Sequence, residues 1–276
     1  MDFEDKLRQE FKTKAEKLEP PPLYLFDHIK QIFTNHFKDL KIEIYSTTEV
    51  AISEHRALKL TEEIRSELSP GESAFVYIAE LDKKIGNVPS LGFYNVVHPI
   101  PFPNFNQWME IVKDDYEDII IPTALPIGFN FLRGENVGPI GGFTYENEVK
   151  YYLALKERAN TENANITWQK AVPEDNCSPS IVPRFIYSNE SKGQIEYSFG
   201  LVHGDRLIVM ANPEKCQVAN MEAYFSEIEL PQIGSIKGIS GFENKNGKTY
   251  SVHISTYSAH VTKEDLLHIA NNLKWI

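Results

Sequence analysis

The segment IIIPTALPIGFNF, residues 119–131, joins one of the most apolar runs of the chain to two prolines and a glycine. Proline has no backbone N–H and is found at strand ends, at edges and in turns, which is where we place Pro122 and Pro126. Gly128 tolerates the backbone angles of a turn. We predict a strand that enters a sheet through a proline corner, so the role of the segment is structural.

The sequence on both sides of this segment predicts an α+β fold. Four segments have apolar residues at helical spacing: 2–18, 25–37, 53–68 and 104–114. A larger set has the pattern of strands: 40–46, 72–81, 91–97, 119–133, 142–155, 165–172, 183–189, 194–211, 234–242 and 248–257. Helices that precede strands indicate a mostly antiparallel, curved sheet packed against helices.

The last predicted helix has complete start signals. Thr262 is the predicted N-cap, and Asp265 completes a capping box with Asp in place of the usual Glu. Val261 and Leu266 occupy the two positions of a hydrophobic staple. A 3.6-residue period then predicts one buried face, made of Leu266, Ile269, Ala270 and Leu273.

We predict three regions along the chain. Residues 1–45 form an N-terminal helical arm, residues 46–118 an α+β subdomain, and residues 119–276 an antiparallel-sheet domain with a C-terminal helix. The triple proline at 20–22 stops the first helix of the arm and acts as a semi-rigid joint.

Composition limits the classes of partner. Hydrophobic residues make up 42% of 276 residues, enough for a sizeable core. The formal net charge of −11 argues against nucleic acid and anionic membrane surfaces, because both need a basic footprint. The sequence has neither a membrane-length apolar stretch nor the apolar core of a signal peptide. We therefore expect a soluble, cytoplasmic protein without a membrane span.

Metal-site patterns fail in this sequence. The two cysteines, Cys177 and Cys216, form no CxxC pair, so a structural zinc site is not expected. One disulfide between them and two buried free thiols are both compatible with the sequence. The eight histidines lack metalloprotease spacing, and the acidic cluster DDYED at 114–118 lacks the glycine and ligand spacing of a calcium loop.

Three glycine-containing motifs resemble catalytic signatures without matching them. GKT at 247–249 lacks the earlier glycine of a phosphate loop, and NKNG at 244–247 predicts a hairpin turn instead. KGISG at 237–241 lacks the second glycine of a nucleophile elbow around Ser240, which favours a strand end or bulge. GENVGPIGG at 134–142 departs from the dinucleotide fingerprint and predicts a surface loop. We predict no catalytic or metal-binding residues and no cofactor.

Two motifs together carry a family resemblance. The first contains Pro122, Leu125, Pro126, Gly128 and Phe129. The second is YSAHVTKEDLLHIANNL at 257–273, with the matching residues Thr262, Lys263, Glu264, Leu266, Ile269, Ala270 and Leu273. They resemble a family of uncharacterised domains common in spore-forming Gram-positive bacteria, often the extracytoplasmic part of membrane-anchored proteins similar to anti-sigma factors. Some relatives look like lipoprotein-carrier and sigma-regulator sensor folds, in which a curved antiparallel sheet covers helices.

The sequence favours binding over catalysis. The resemblance implies a non-enzymatic sensor or protein-interaction domain in a bacterial regulatory context, anti-sigma-like or in sporulation. In such proteins a membrane span follows the arm, whereas here IFTNHFKDLKIEIYS at 32–46 is too charged to span. One alternative is a carrier of a small apolar ligand in the concave face of the sheet, and another is an enzyme whose site is assembled only by folding.

The arm contains the candidate partner-binding residues. They form a narrow apolar stripe on the first helix: Phe3, Leu7, Phe11 and Leu18. A lone helix of this length is marginal in water, so it must dock on its own domain or on a protein partner.

Overall fold

The computed structural model describes most of the chain from residue 42 onward, over the ranges 42–46, 48–82, 92–137, 145–172, 182–202, 206–210, 212–218, 221–230 and 234–276. The helices are α1 Thr48–Glu67, α2 Phe105–Asp115, α3 Tyr145–Glu162 and α4 Lys263–Asn271. The strands are β1 Ile42–Ser46, β2 Ser73–Ile78, β3 Phe93–Val97, β4 Pro101–Phe102, β5 Ile120–Pro122, β6 Asn130–Asn136, β7 Ile166–Lys170, β8 Pro183–Asn189, β9 Gly193–Leu201, β10 Arg206–Met210, β11 Glu214–Val218, β12 Met221–Leu230, β13 Gly234–Lys245, β14 Lys248–Thr256 and β15 Leu273–Trp275.

These elements confirm the predicted α+β class with mostly antiparallel sheets. By its contacts the chain divides into two compact units: Met1–Glu43 with His203–Arg206, and Ile44–Val202 with Leu207–Ile276. Nearly all described elements belong to the second unit. Residues 1–41 of the predicted arm lie outside the described residues, together with the candidate partner-binding residues Phe3, Leu7, Phe11 and Leu18. The end of the predicted arm is a strand, because Ile42–Ser46 is β1. The predicted boundaries at residues 45 and 118 stay predictions.

A three-stranded sheet in the order β3-β2-β7 lies between two helices. Every residue of β2 is buried, because its side chains alternate between α1 and α3. The even-numbered residues face α1, where Ala74, Val76 and Ile78 pack with Ala57, Ile64 and Leu68. The odd-numbered Phe75 and Tyr77 face α3, where they pack with Leu155 and Ala159.

Helix α3 corrects one prediction. The strand predicted over 142–155 is wrong, because Tyr145–Glu162 is helical. Its buried residues Leu155 and Ala159 are four apart, and Tyr151 and Tyr152 pack beside the same cluster. This is the spacing of one helical face, and it continues past residue 155, the end of the predicted strand.

The largest sheet has eight strands in the order β11-β12-β13-β14-β9-β8-β6-β4. Strands β11 and β12 are absent from the predicted strands. Three of the ten residues of β12 are glutamates, which weakens its apolar alternation. The predicted hairpin turn at 244–247 is confirmed, since Asn246 and Gly247 have φ values of 53° and 75° between β13 and β14.

Helices α2 and α4 cover one face of this large sheet, here called its inner face. The core there is aromatic and aliphatic: Trp108, Met109, Val112, Phe129, Phe185, Tyr187, Ile195, Tyr197, Phe199, Val252, Ile254, Val261, Leu266, Ile269 and Ala270. The ring of Phe185 lies at its centre, 6.0 Å from Trp108 and 5.7 Å from Tyr197. The inner face is therefore filled by the chain's own side chains.

The proline corner separates two strands instead of leading into one. The predicted strand over 119–133 is interrupted: Ile120–Pro122 pairs with β15, and Asn130–Asn136 joins the large sheet. Between them the N–H of Phe129 donates to the carbonyl of Pro126 at 3.0 Å, which closes a turn. Gly128 has φ +81° in that turn, and a Cβ there would lie 2.5 Å from Nδ2 of Asn189. Leu125 packs at the edge of the core.

Helix α4 confirms its predicted start. The hydroxyl of Thr262 accepts from the N–H of Asp265 at 3.2 Å, and the Asp265 carboxylate accepts from the N–H of Thr262 at 3.0 Å. Val261 and Leu266 are fully buried, as a hydrophobic staple requires. Leu273 differs from the prediction, because it begins β15 instead of extending the helix.

Candidate functional site on the outer face of the large sheet

The face of the large sheet opposite to α2 and α4, here called the outer face, has short polar side chains at its centre and also includes the buried residues Ile186 and Ile228. Its residues alternate with core residues along each strand and lie opposite one another on neighbouring strands. The central row runs from β12 to β8: Tyr224, Ser240, His253, Ser198 and Arg184. Strand spacing makes this row about 19 Å long.

Small residues surround His253 on three adjacent strands. We call this group the serine floor: Ser198, Gly200, Gly238, Ser240, Ser251 and Ser255. The floor measures about 10 Å across the strands and about 13 Å along them. Because its neighbours are short, the imidazole of His253 is exposed. The centre of the outer face is thus a hydroxyl-rich area around one imidazole ring.

Ser240 and His253 form a hydrogen-bonded pair at the centre of the outer face. Oγ of Ser240 lies 2.8 Å from Nδ1 of His253, the distance of a nucleophile and its base. Acyl transfer also needs free N–H groups near the nucleophile, but β13 is paired with β12 on one side and β14 on the other. Within the described ranges no carboxylate hydrogen-bonds His253. Although His253 is exposed, desolvation by the surrounding sheet lowers the pKa of its imidazole. We interpret the pair as a neutral hydrogen-bonding centre.

Charged residues at the β8 side of the floor form a network that is neutral as a whole. The buried carboxylate of Glu135 accepts from Nε of Arg133 at 2.5 Å and from Arg184. Arg184 also donates to Glu196 at 3.1 Å. Burial raises the pKa of Glu135, but the attraction of Arg184 and Arg133 outweighs it, so the pKa lies below its usual value. Two arginines and two glutamates cancel in charge.

The β12 side of the floor is bordered by a smaller network. The carboxylate of Glu222 accepts from Nζ of Lys215 at 3.0 Å and from the hydroxyl of Tyr224 at 2.8 Å. The three groups are exposed or half-exposed, and the one positive and one negative charge cancel. Both rims therefore offer hydrogen bonds without a net charge.

The Glu135 network predicts a pH dependence. Because the folded pKa of Glu135 is depressed, its carboxylate stabilises the fold above pH 4.5, and this stabilisation is lost as the pH falls through the folded pKa. We expect Glu135→Gln to lower the free energy of unfolding by about 1–3 kcal/mol at pH 7, and by less at pH 3.5. Urea unfolding followed by tryptophan fluorescence measures both.

The control for this prediction is Glu196→Gln. Glu196 makes one contact with the same Arg184, and both side chains are half-buried, whereas the carboxylate of Glu135 is buried. The loss of Glu196 should therefore cost under about 1 kcal/mol. An effect of Glu135→Gln that is equal at pH 7 and pH 3.5 would contradict the assigned direction of the pKa.

A second cluster of titratable groups lies beside the three-stranded sheet. The buried carboxylate of Asp82 accepts from the hydroxyl of Tyr77 at 2.6 Å, from Nζ of Lys156 at 2.7 Å and from the hydroxyl of Tyr152 at 3.2 Å. Burial, followed by the hydrogen bond to Asp82, raises the pKa of Tyr77. The cluster ties the end of β2 to α3. Its groups bond mainly one another, so we assign it a structural role.

The structure brings two predicted turns together. Glu117, in the acidic cluster, binds Nζ of Lys248 at 2.8 Å, and Asp118 accepts from Asn246 at 3.0 Å. The GKT motif is thus part of a hairpin held by an acidic turn. Burial raises the pKa of the half-buried Cys216 thiol, whereas Cys177 lies outside the described residues. The surface loop predicted over 134–142 is wrong for residues 134–136, which end strand β6 with Gly134 and Glu135 buried, and residues 138–142 lie outside the described residues.

The serine floor was not predicted from the sequence. Ser240 was expected at a strand end or bulge, but it lies inside β13. The signal that could have found the floor is the alternation in SVHIS at 251–255, where Val252 and Ile254 face the core. Strand partners that join Ser198 and Ser240 to this segment are set by the fold.

Within the described ranges, no cluster of three or more His, Cys, Asp or Glu side chains has the arrangement of a metal site. No helix among the same residues is both long enough and apolar enough to cross a membrane. In comparisons with known proteins, no family model, curated protein or solved structure matches the chain.

Proposed function

We propose that this chain is a non-enzymatic binding domain that recognises a protein partner through the outer face of the large sheet. The observation that carries the proposal is the serine floor around the exposed His253. Small hydroxyl side chains let another surface approach the sheet closely and offer it donors and acceptors.

The dimensions of the floor indicate how a partner would bind. A floor of about 10 by 13 Å is much smaller than the roughly 800 Å² that each protein contributes to a stable interface. The floor can therefore receive a protruding loop, while the rims around Arg184 and Tyr224 complete the contact. Because both rims are neutral, they fit a polar partner without a strong net charge better than a polyanion.

The inner face offers less to a ligand. The carrier hypothesis needs room for a small apolar molecule against a face of the sheet, but the inner face is filled by residues such as Trp108, Phe185 and Leu266. This packing favours a protein partner on the outer face over an apolar ligand on the inner one. The neutral Ser240–His253 pair, set in fully paired strands, likewise favours binding over acyl transfer.

The biological context is part of the proposal. A sensor or interaction role in bacterial regulation, anti-sigma-like or in sporulation, rests on the resemblance of the motifs at 119–131 and 257–273. The apolar stripe at Phe3, Leu7, Phe11 and Leu18 provides a second place at which such a partner would bind.

Site-specific photo-crosslinking tests the proposed surface. A benzoylphenylalanine side chain is placed at Ser198 or Ser255 on the floor and, as matched controls, at Glu110 or Lys113 on the exposed side of α2. Irradiation in cells that naturally contain the chain should give one discrete adduct from the floor positions and none from the controls.

A second measurement separates recognition from folding. We expect Ser198→Arg to reduce the adduct formed from Ser255 at least tenfold, because the long side chain blocks the floor, while the melting temperature stays unchanged. Glu110→Arg should change neither. Equal adducts from the floor and α2 positions, or none from either, would reject the outer face as the recognition surface.

A further inference from the structure

The two edges of the large sheet differ in how well they are protected. At one edge β4 pairs with β6 through two residues only, Pro101 and Phe102, and β6 is bulged between Phe131 and Arg133. Proline and bulges both prevent another strand from adding. At the other edge β11 is a regular five-residue strand, and within the described ranges only β12 pairs with it.

The charged residues of β11 that would discourage another strand from pairing are Glu214 and Lys215, and both form ion pairs within their own chain. Nζ of Lys215 binds Glu222 at 3.0 Å on the outer face. On the inner face, Glu214 accepts from Nζ of Lys263 at 2.6 Å. An exposed lysine on an edge strand normally discourages pairing, but here each charge has a partner in its own chain.

We propose that β11 pairs with β11 of a second copy of this chain, antiparallel and across a twofold axis, so that the large sheets of two protomers become continuous. This inference is independent of the proposed recognition surface, because it uses the edge of the sheet and not its outer face. A twofold axis makes the interface self-complementary, as in most homodimers.

The sequence of β11 selects one register. We place the outer faces of both protomers on the same side of the joined sheet, so the twofold axis is perpendicular to it. Because opposed residues then belong to the same face, the axis passes through a residue position. An axis at Glu214 or Lys215 would oppose like charges. An axis at Cys216 opposes Lys215 to Gln217 of the second copy and uses all five residues of the strand, Glu214–Val218. An axis at Gln217 pairs only part of the strand. The geometry therefore points to Cys216.

This register places the two Cys216 residues directly opposite each other. Opposed residues in antiparallel strands have Cα atoms about 4.5–5.5 Å apart, within the range that a disulfide spans. Cys216 thus reports on the register without being the cause of association. Because burial raises the pKa of its thiol, an oxidant at alkaline pH is the suitable probe.

Sedimentation equilibrium of the full chain under reducing conditions, from about 5 to 500 µM, tests the dimer, since an interface this small should be weak. Gln217→Glu should lower the dimer dissociation constant by about 2- to 30-fold by facing Lys215 of the second copy twice, and Gln217→Lys should raise it similarly. Gln217 is exposed but lies opposite Glu222 on β12, so we expect Gln217→Glu to lower the melting temperature slightly and Gln217→Lys to raise it. Cooperative unfolding of both variants verifies their fold.

Copper-phenanthroline oxidation at pH 9 gives the second readout. We expect a crosslinked dimer that Cys177→Ser retains and Cys216→Ser loses. Weakening by both Gln217 variants would place the axis at Gln217 and overturn the proposed register. A monomer at about 500 µM, with no crosslink that depends on Cys216, would overturn the dimer itself.

Discussion

Replacing Gly134 by alanine is expected to destabilise the large sheet by more than about 3 kcal/mol, because the new Cβ would overlap the indole ring of Trp108. The indole cannot move away. It is fully buried, with its ring 5.2 Å from that of Phe102 and 6.0 Å from that of Phe185. Chemical unfolding followed by circular dichroism measures the loss, or shows that the variant does not fold.

Gly200→Ala is the matched control. Gly200 lies in β9 of the same sheet, where the nearest atoms to an added Cβ are 3.9 Å and 4.0 Å away, so we expect a change within about 0.5 kcal/mol. The double variant Gly134→Ala with Trp108→Leu should be more stable than Gly134→Ala alone, because the smaller side chain relieves the overlap. Equal stabilities of Gly134→Ala and Gly200→Ala would show that the indole packs elsewhere.

Leu266→Ala is expected to cost about 2–5 kcal/mol, the range for emptying a buried leucine site. Leu266 is fully buried between α4 and the sheet and forms the hydrophobic staple with Val261, so its loss also loosens the start of the helix. Equilibrium urea unfolding at neutral pH gives the difference directly.

Leu267→Ala removes the same atoms from the neighbouring position, which is only partly buried. We expect it to cost clearly less than Leu266→Ala, since less apolar surface leaves the core. A Leu266→Ala variant with wild-type stability would mean that α4 is peripheral to the core.

The parts of the fold that can be predicted from the sequence are those stabilised by contacts between residues close together in the chain. Two examples are the capping box of Thr262 and Asp265 and the turn at Asn246 and Gly247. Each depends on residues at most three positions apart, so it can be recognised from the sequence. Helix α3 was mistaken for a strand because a window of a few apolar residues fits both periods. The sequence predicts a corner at Pro122, but it does not predict that the strands on its two sides join different sheets.

The candidate site could not be predicted from the sequence, because its residues are far apart in the chain. Ser198, Ser240 and His253 lie on β9, β13 and β14, and only the strand order places them in one row. Likewise, Glu135 gives no sign in the sequence that Arg184 will lie opposite it. Strands are inferred from the periodicity of apolar residues, and serine and glycine do not contribute to it. A group of serines and glycines is therefore hard to recognise in a sequence.

The pairing of β5 with β15 has a consequence for synthesis of the chain. Thr123 bonds the carbonyl of Asn272, 149 residues later, and the segment from Ile120 to Pro122 finds its strand partner only there. At about 5–20 residues per second, a ribosome takes roughly 8–30 s to make the intervening chain. During that interval residues 119–121 have no partner strand, so we expect chaperones to bind this nascent segment. Premature termination would leave a truncated chain that exposes this segment and is prone to aggregate.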